Sequence, residues 1–97
     1  MTNQNNKAVL ELKVVNHPGV MSHICGLFAR RAYNLEGILC LPLKDKRYSR
    51  IWLLLDEAQC LDQVMRQTEK LIDVIELKHH VDINHSVFIE LEQAFHN

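Results

Sequence analysis

The chain has 97 residues, enough for one domain with a modest core, and 47% of them are hydrophobic, which is typical of a folded protein. Eleven basic and twelve acidic residues leave a formal net charge of −1, so the composition gives no electrostatic footprint for nucleic acid or an anionic membrane. No apolar run approaches the roughly 20 residues of a membrane-spanning helix. The polar segment 1–7 lacks the apolar centre of a signal peptide. We therefore expect a cytoplasmic protein with a disordered N-terminal tail, residues 1–7.

The first half of the chain predicts three strands and one helix. Residues 8–15 alternate in polarity, as a half-buried strand does. A polar turn follows at 16–19, and an amphipathic helix is predicted over residues 20–33. Residues 34–41 form a second alternating strand that Pro42 ends, and one of its faces carries Leu35, Gly37, Leu39 and Leu41. After a charged loop, the continuous apolar run 51–55 predicts a central strand.

The second half of the chain predicts a helix, a strand and a C-terminal extension. Asp56 and Gln59 stand in the register of a capping box at the start of the second helix. The apolar stripe of that helix consists of Leu61, Val64, Met65, Thr68, Leu71 and Ile72. Residues 74–78 predict a fourth strand. In the extension, residues 79–97, segment 87–95 fits a helix about as well as a strand, and we take the helix.

The order of these elements defines a fold class. Two strand–helix–strand units with right-handed crossovers interleave into one four-stranded antiparallel sheet. Both helices then cover one face of the sheet, giving an α+β, ferredoxin-like βαββαβ domain over residues 8–78. The other face mixes polar and apolar side chains, so the sheet could pair edge to edge or face to face with a second copy, and we expect a homodimer.

Little in the sequence indicates catalysis. His17 and His23 are six positions apart, and the adjacent His79 and His80 would point to opposite faces of a strand, so neither pair has the spacing typical of metal ligands. The three cysteines are too widely spaced for a disulfide framework or a CxxC site. RNA-binding modules share this fold but use exposed aromatic residues, and the central strands offer only Trp52. We expect no catalytic residue, no metal and no cofactor in this chain.

The turn at 16–21 is the most informative stretch. Gly19 permits backbone conformations closed to other residues, and Pro18 suits the first position of a helix. The amides of residues 19–21 would then point out of the helix N-terminus, which attracts anions. Asn16 and Asn34 add amide side chains that both donate and accept, unless they merely cap or turn the chain. We hypothesise that the turn holds a small carboxylate, such as that of an amino acid.

Two runs carry a family resemblance: Asn16-His17-Pro18-Gly19-Val20, and Gly26-Leu27-Phe28-Ala29-Arg30-Arg31-Ala32-Tyr33-Asn34-Leu35-Glu36-Gly37-Ile38. They resemble an ACT domain, and more narrowly the regulatory (small) subunits of bacterial acetohydroxyacid synthase, also called acetolactate synthase. The likeness covers about residues 8–78. The length of the chain and segment 37–42 look like the short subunits of the isozyme I type.

The resemblance implies a dimer that binds the end product valine between its two ACT domains. The ligand-binding residues it implies are Asn16, Gly19, Val20, Met21, Asn34 and Ile38. The first-turn amides would hold the carboxylate, and Asn34 would reach the ligand from the second chain. The resemblance further implies a catalytic large subunit with thiamine diphosphate, Mg²⁺ and FAD, which this non-catalytic chain activates and makes subject to feedback inhibition in branched-chain amino-acid biosynthesis. The alternative is a free-standing ACT module that senses another amino acid and regulates a different target.

Overall fold

The computed structural model describes residues 7–56 and 61–80, together with residues 90, 93 and 94. The elements in chain order are β1 (Lys7–Val15), α1 (Val20–Arg30), β2 (Leu35–Pro42), β3 (Tyr48–Asp56), α2 (Leu61–Glu69) and β4 (Val74–His80). The strands form an antiparallel sheet in the order β2-β3-β1-β4. The predicted βαββαβ architecture is confirmed, with β3 in a central position.

The core lies between the helices and one face of the sheet. Alternate residues of β1, Leu10, Leu12 and Val14, are fully buried there, as the alternation of the sequence predicts. The helical residues packed in the same core are Val20, Ile24, Leu27, Phe28 and Val64. Burial of each such side chain contributes about 1.5–3 kcal/mol. Both helices therefore cover the same face of the sheet.

The helix α1 ends three residues earlier than the periodicity predicts. Arg31 is its C-cap, and Ala32 adopts a left-handed conformation with φ of 58°. The N–H of Ala32 donates to the Ala29 carbonyl at 3.2 Å, and the N–H of Tyr33 donates to the Phe28 carbonyl at 2.9 Å. These are the two bonds of a Schellman motif, and the Tyr33 ring adds the usual apolar contact by standing edge-on to Phe28 at a centroid distance of 5.7 Å.

A β-bulge changes which face of β2 meets the core. Leu35 pairs with Leu55, but the next pairing joins Gly37 to Leu54, so one residue, Glu36, is extra. Because side chains alternate along a strand, one extra residue reverses the alternation. The predicted face of Leu35, Gly37, Leu39 and Leu41 is therefore wrong beyond the bulge, and the residues of β2 packed against the core are Leu35, Ile38 and Cys40.

The helix α2 also ends before its predicted stripe does. The helix stops at Glu69, and Ile72 is 90% exposed, while the next residue, Asp73, is 6% exposed. The predicted burial of Ile72 is wrong because the chain has left the helical repeat by that point. Asp56 closes β3, and the capping box predicted from it involves Gln59, which lies outside the described residues.

The C-terminal extension begins inside the sheet. The strand β4 continues through His79 and His80, two residues beyond its predicted end. Further on, residues 90, 93 and 94 are helical and exposed, and the remainder of the predicted helix 87–95 lies outside the described residues. No helix formed by the described residues combines the length and apolarity needed to cross a bilayer.

Candidate functional site

The turn between β1 and α1 is tighter than the sequence suggests. Gly19 is the N-cap of α1 with φ −91° and ψ −2°, a right-handed conformation that other residues can adopt. The predicted use of glycine's conformational freedom is therefore wrong. Space does not require glycine either, because a Cβ here would stand 3.4 Å from Cε1 of the His17 ring, which is an ordinary van der Waals contact. Pro18 precedes the N-cap, so it does not occupy the first helical position as predicted.

Two of the three amides predicted to point out of α1 are engaged within the turn. The Gly19 N–H donates to Nδ1 of His17 at 3.0 Å, and the Val20 N–H donates to the His17 carbonyl oxygen at 3.1 Å. The Met21 amide lies in the first turn, where a helix has no internal acceptor for it. His17 thus closes the start of α1 with its ring and its carbonyl, a role usually taken by the side chain of the N-cap residue.

Asn16 ties the turn to the loop between β2 and β3. Its backbone N–H donates to the Arg47 carbonyl at 2.8 Å, and its side-chain Nδ2 donates to the Lys46 carbonyl at 3.0 Å. The loop is itself held by an ion pair between Arg47 and Asp45 at 2.7 Å. Asn16 is exposed, and these bonds fix its position at the end of β1.

The buried carboxylate of Asp73, the residue just before β4, contacts the turn. Asp73 Oδ1 accepts a hydrogen bond from His17 Nε2 at 2.7 Å, and Oδ2 accepts one from His23 Nδ1 at 2.6 Å. The Asp73 backbone is held beside β1, because its carbonyl accepts from the Val15 N–H at 2.9 Å. The Asp73 side chain is only 9% exposed, whereas those of His17 and His23 are 35% and 52% exposed.

Sequence reasoning missed this cluster. The six positions between His17 and His23 predict no shared site, yet Asp73 binds both rings and their centroids lie 5.7 Å apart. Asp73 lies 56 residues from His17 and 50 from His23, and no local pattern connects residues at such distances. A weak signal was present: Asp73 follows an apolar stripe and directly precedes a strand, where a buried acid needs a partner.

The two hydrogen bonds of His17 indicate which ring nitrogen carries the proton when the ring is neutral. Because the Gly19 N–H is a donor, Nδ1 must be the acceptor, and the proton of the neutral ring is on Nε2, where it is donated to Asp73. His17, His23 and Asp73 offer ligand atoms within 4.8 Å of one another, a donor set that could hold a metal ion. Coordination by Nε2 would require the other tautomer and would break the bond from Gly19. The geometry therefore favours a hydrogen-bonded relay over a metal centre.

The two histidines stabilise the ionised form of Asp73. Hydrogen bonds from His23 and then His17 are the main causes that lower the pKa of Asp73 from its ordinary value of 3.8, against the opposing effect of burial. Asp73 is therefore a carboxylate at neutral pH. It accepts from both rings and fixes the relative positions of the β1–α1 turn, the first turns of α1 and the start of β4.

The remaining predicted residues do not reach the turn within one chain. Asn34 is exposed and precedes β2, beyond the C-terminal end of α1. The 11 residues of α1 separate it from the turn by a rise of about 16 Å. Ile38 is half-buried and packs against the core from β2. The structure thus brings Asn16 together with residues 19–21, while Asn34 and Ile38 lie elsewhere in the same chain.

The fold is that of an ACT domain, and solved structures agree. The chain resembles the acetolactate synthase small subunit from Thermotoga maritima with a TM-score of 0.68 at 21% identity, covering 92% of this chain and 67% of that one. It also resembles the regulatory subunit of aspartate kinase from Thermus flavus, with a TM-score of 0.68 at 14% identity over 81% of this chain and 54% of that one. At these identities the likeness establishes the fold alone.

Sequence comparison narrows the class to one family. The family described as AHAS small subunit-like ACT domain matches residues 10–76, which include the turn and Asn34. The acetolactate synthase isozyme 1 small subunit of Escherichia coli is 55% identical over 74 residues, covering 76% of this chain and 77% of that protein. The acetolactate synthase small subunit of Haemophilus influenzae is 32% identical over 87 residues, covering 89% of this chain and 52% of that protein. The chain belongs to the family of acetolactate synthase small-subunit ACT domains.

Proposed function

We propose that this chain is a non-catalytic regulatory subunit that activates the catalytic subunit of an acetolactate synthase and makes it sensitive to valine. The observation that carries the proposal is the 55% identity over 74 residues to the isozyme 1 small subunit. The catalytic partner would supply thiamine diphosphate, Mg²⁺ and FAD for the first common step of branched-chain amino-acid biosynthesis. The free thiols of Cys25 and Cys40 suit a cytoplasmic location.

The proposed valine site is built on the β1–α1 turn. Asn16 and the amides of Gly19, Val20 and Met21 would hold the amino-acid backbone of valine, with the carboxylate at the positive end of α1. The proposed role of the Met21 amide is supported by its position in the first turn of α1, where a helix has no internal acceptor for it. The Gly19 and Val20 amides would have to exchange their bonds to His17 for bonds to the ligand.

A second copy of the chain would complete the site. Because α1 separates Asn34 from the turn by about 16 Å, Asn34 can contribute only if another protomer presents it. A two-fold homodimer would do so twice, since each turn would meet Asn34 and Ile38 of the other copy. Among the strands that the structure describes, β2 and β4 are the outer ones, and the outer edge of either could pair with that copy.

Simple energetics fit such a site. Burying the side chain of valine supplies about 1.5–3 kcal/mol, and each hydrogen bond to its charged groups adds about 1.5–3 kcal/mol before ordering costs. Leucine differs from valine by one methylene, which is worth about 1–3 kcal/mol. We therefore expect partial selectivity, with leucine and isoleucine binding more weakly than valine.

Calorimetry with a panel of amino acids tests the effector. Valine should bind the full chain more tightly than leucine, isoleucine, serine or glycine. Asn16→Ala should abolish valine binding, while Gln63→Ala, which removes an exposed amide from α2, should leave it unchanged. Binding of serine or glycine without binding of valine would contradict the proposal and favour an ACT module that senses a different amino acid.

Mixing two variants tests the shared site. Asn16→Ala and Asn34→Ala should each abolish valine binding alone. In a mixed dimer one site loses both residues and the other keeps both, so an equimolar, re-equilibrated mixture should recover about a quarter of the wild-type sites. If the mixture recovers no binding although the two variants exchange subunits, the two residues do not meet across a dimer.

Co-purification with a tagged acetolactate synthase catalytic subunit tests the partner. The chain should bind that subunit and raise its activity. Adding valine should lower the activity of the complex with the wild-type chain but not of the complex with Asn16→Ala. Failure of the wild-type chain to bind or activate the catalytic subunit would refute the regulatory role.

A further inference from the structure

One hydrogen bond occupies the amide that the proposed effector site needs. The Gly19 N–H donates to Nδ1 of His17 at 3.0 Å. A neutral imidazole can accept that bond, but an imidazolium carries hydrogen on both ring nitrogens and accepts nothing. A second proton on His17 would therefore break the bond and leave two donors, Nδ1–H and the Gly19 N–H, directed at the same space.

We propose that His17, held by Asp73, is a proton-operated gate on the effector site. With His17 neutral, its ring retains the Gly19 amide. With His17 protonated, the amide is released, and the ring offers its own Nδ1–H to the same ligand carboxylate. His17 is then both a positioning residue for Gly19 and a charged contact of the effector. This inference rests on the proposed function for the identity of the ligand, whereas the release of the Gly19 amide is a property of this chain alone.

Asp73 supplies a counter-ion for the protonated form of His17. The carboxylate can accept the Nε2–H of His17, at 2.7 Å, in either protonation state of the ring, so an added proton on Nδ1 creates an ion pair with a partner already in place. The burial of Asp73 strengthens that pair, since its side chain is 9% exposed. A histidine outside such a relay would have to find its counter-ion at the time of protonation.

Among the residues that the structure describes, the charged and titratable neighbours of His17 come from three elements. From α1, His23 shares the same carboxylate through Oδ2 and stands edge-on to the His17 ring. From the segment before β4, Asp73 itself is the counter-ion. On the β2–β3 loop, which contacts the turn through Asn16, Arg47 is directed at Asp45. A protonated His23 would compete with a protonated His17 for the same Asp73 carboxylate.

The sign of the effect follows from linkage. A carboxylate ligand prefers the state with His17 protonated, so its affinity rises as pH falls through the titration of His17, and binding takes up a proton. Imidazoles commonly titrate between about pH 5 and 8. One charge-assisted hydrogen bond contributes about a tenfold change in affinity. We expect valine to bind about tenfold more tightly at about pH 6 than at about pH 8.

The chemical shift of the Gly19 amide proton reports directly whether His17 holds this amide. In nuclear magnetic resonance spectra of the full chain without added amino acid, the Gly19 amide proton should shift upfield as pH falls, because it loses its acceptor. In His17→Gln the titration should disappear. In Asp73→Asn it should move to lower pH, because the imidazolium has lost its counter-ion. A Gly19 amide that does not respond between about pH 8 and about pH 5.5 would overturn the proposal.

Calorimetry at the same two pH values tests the consequence for the ligand. Wild type should bind valine more tightly at the lower pH and should take up protons on binding in the pH range over which the affinity changes, and His17→Gln should show neither effect. His80→Gln is the matched control, since His80 pairs with Glu11 on the other face of the sheet at 2.7 Å, and it should behave as wild type. Valine binding that is equal at both pH values would overturn the gate. No valine binding at any pH would refute the effector assignment instead, and the Gly19 titration alone would then decide the gate.

Discussion

The two ends of α1 are closed in different ways. At the C-terminal end, the N–H groups of Ala32 and Tyr33 return to carbonyls three and five residues earlier, so neighbours in sequence complete the helix. At the N-terminal end, the ring of His17 retains the first amide and is itself held by Asp73, 56 residues away. An end closed by neighbours is fixed once the helix forms. An end closed by a titratable ring and a remote carboxylate can respond to pH and ligand.

The largest expected effect comes from truncating Phe28, the residue that anchors the C-terminal end of α1 in the core. Phe28 is 2% exposed and carries the edge-on contact with Tyr33. Phe28→Ala should lower the free energy of unfolding by about 3–5 kcal/mol, because it leaves a cavity in the core. Urea denaturation measures the change. The exposed Cys25→Ala variant on the same helix should change it by less than about 0.5 kcal/mol, and an equal loss in both variants would contradict the described core.

At the N-terminal end, the expected effect depends on pH. The pKa of Asp73 is lowered on folding, mainly by the hydrogen bonds from His23 and His17, so its ionisation stabilises the fold above its ordinary pKa of 3.8. That contribution is lost as pH falls through the lowered value. Asp73→Asn should therefore flatten the decline in thermal stability from about pH 5 downwards. The exposed Asp62→Asn variant should retain the wild-type decline. Parallel profiles for wild type and Asp73→Asn would show that the carboxylate does not hold the turn.

A smaller effect, of the opposite sign, is expected from a substitution that stabilises the C-terminal end of α1. Ala32 has φ of 58°, a left-handed conformation that costs an L-residue about 1–2 kcal/mol and glycine little. Ala32→Gly should raise the free energy of unfolding by about 1 kcal/mol. The matched control has the opposite sign: Ala29→Gly lies inside α1 and should lower stability by about 1 kcal/mol. Destabilisation by both changes would mean that α1 does not end at this motif.

The smallest expected effect concerns the residue just before the remote carboxylate. Ile72 is 90% exposed, so Ile72→Gln should change the free energy of unfolding by less than about 0.5 kcal/mol. A loss above about 2 kcal/mol would mean that α2 continues through Ile72, as its apolar stripe predicted. In that arrangement Asp73 could not direct its side chain at His17 and His23.

Much of the fold could be predicted because local patterns determine it. The alternation of Leu10, Leu12 and Val14 and the helical spacing of Ile24 and Phe28 identify the core face of each element. The errors arise where a single residue breaks a pattern without a sequence signal. Ala32 takes a left-handed conformation that glycine usually supplies, and the bulge at Glu36 reverses the faces of β2.

The candidate site was predicted only in part, for a related reason. The turn at 16–21 has a sequence signature, so its place before α1 could be predicted from Pro18 and Gly19. The carboxylate of Asp73 has only a weak one, because its contacts with His17 and His23 depend on the pairing of β4 with β1. The hydrogen bond that occupies the Gly19 amide could not be anticipated either, since it depends on the orientation of the His17 ring.

Amide chemical shifts on adding valine to the full chain test the central claim most directly. If the responsive end of α1 is the effector site, the largest changes should fall on Gly19 and Met21, with a second group at Asn34 from the other copy. The amide of Ala29, at the C-terminal end of α1, should show little change in chemical shift apart from any effect of the nearby Asn34. Saturable valine binding that leaves the Gly19 and Met21 amides unchanged would contradict the account.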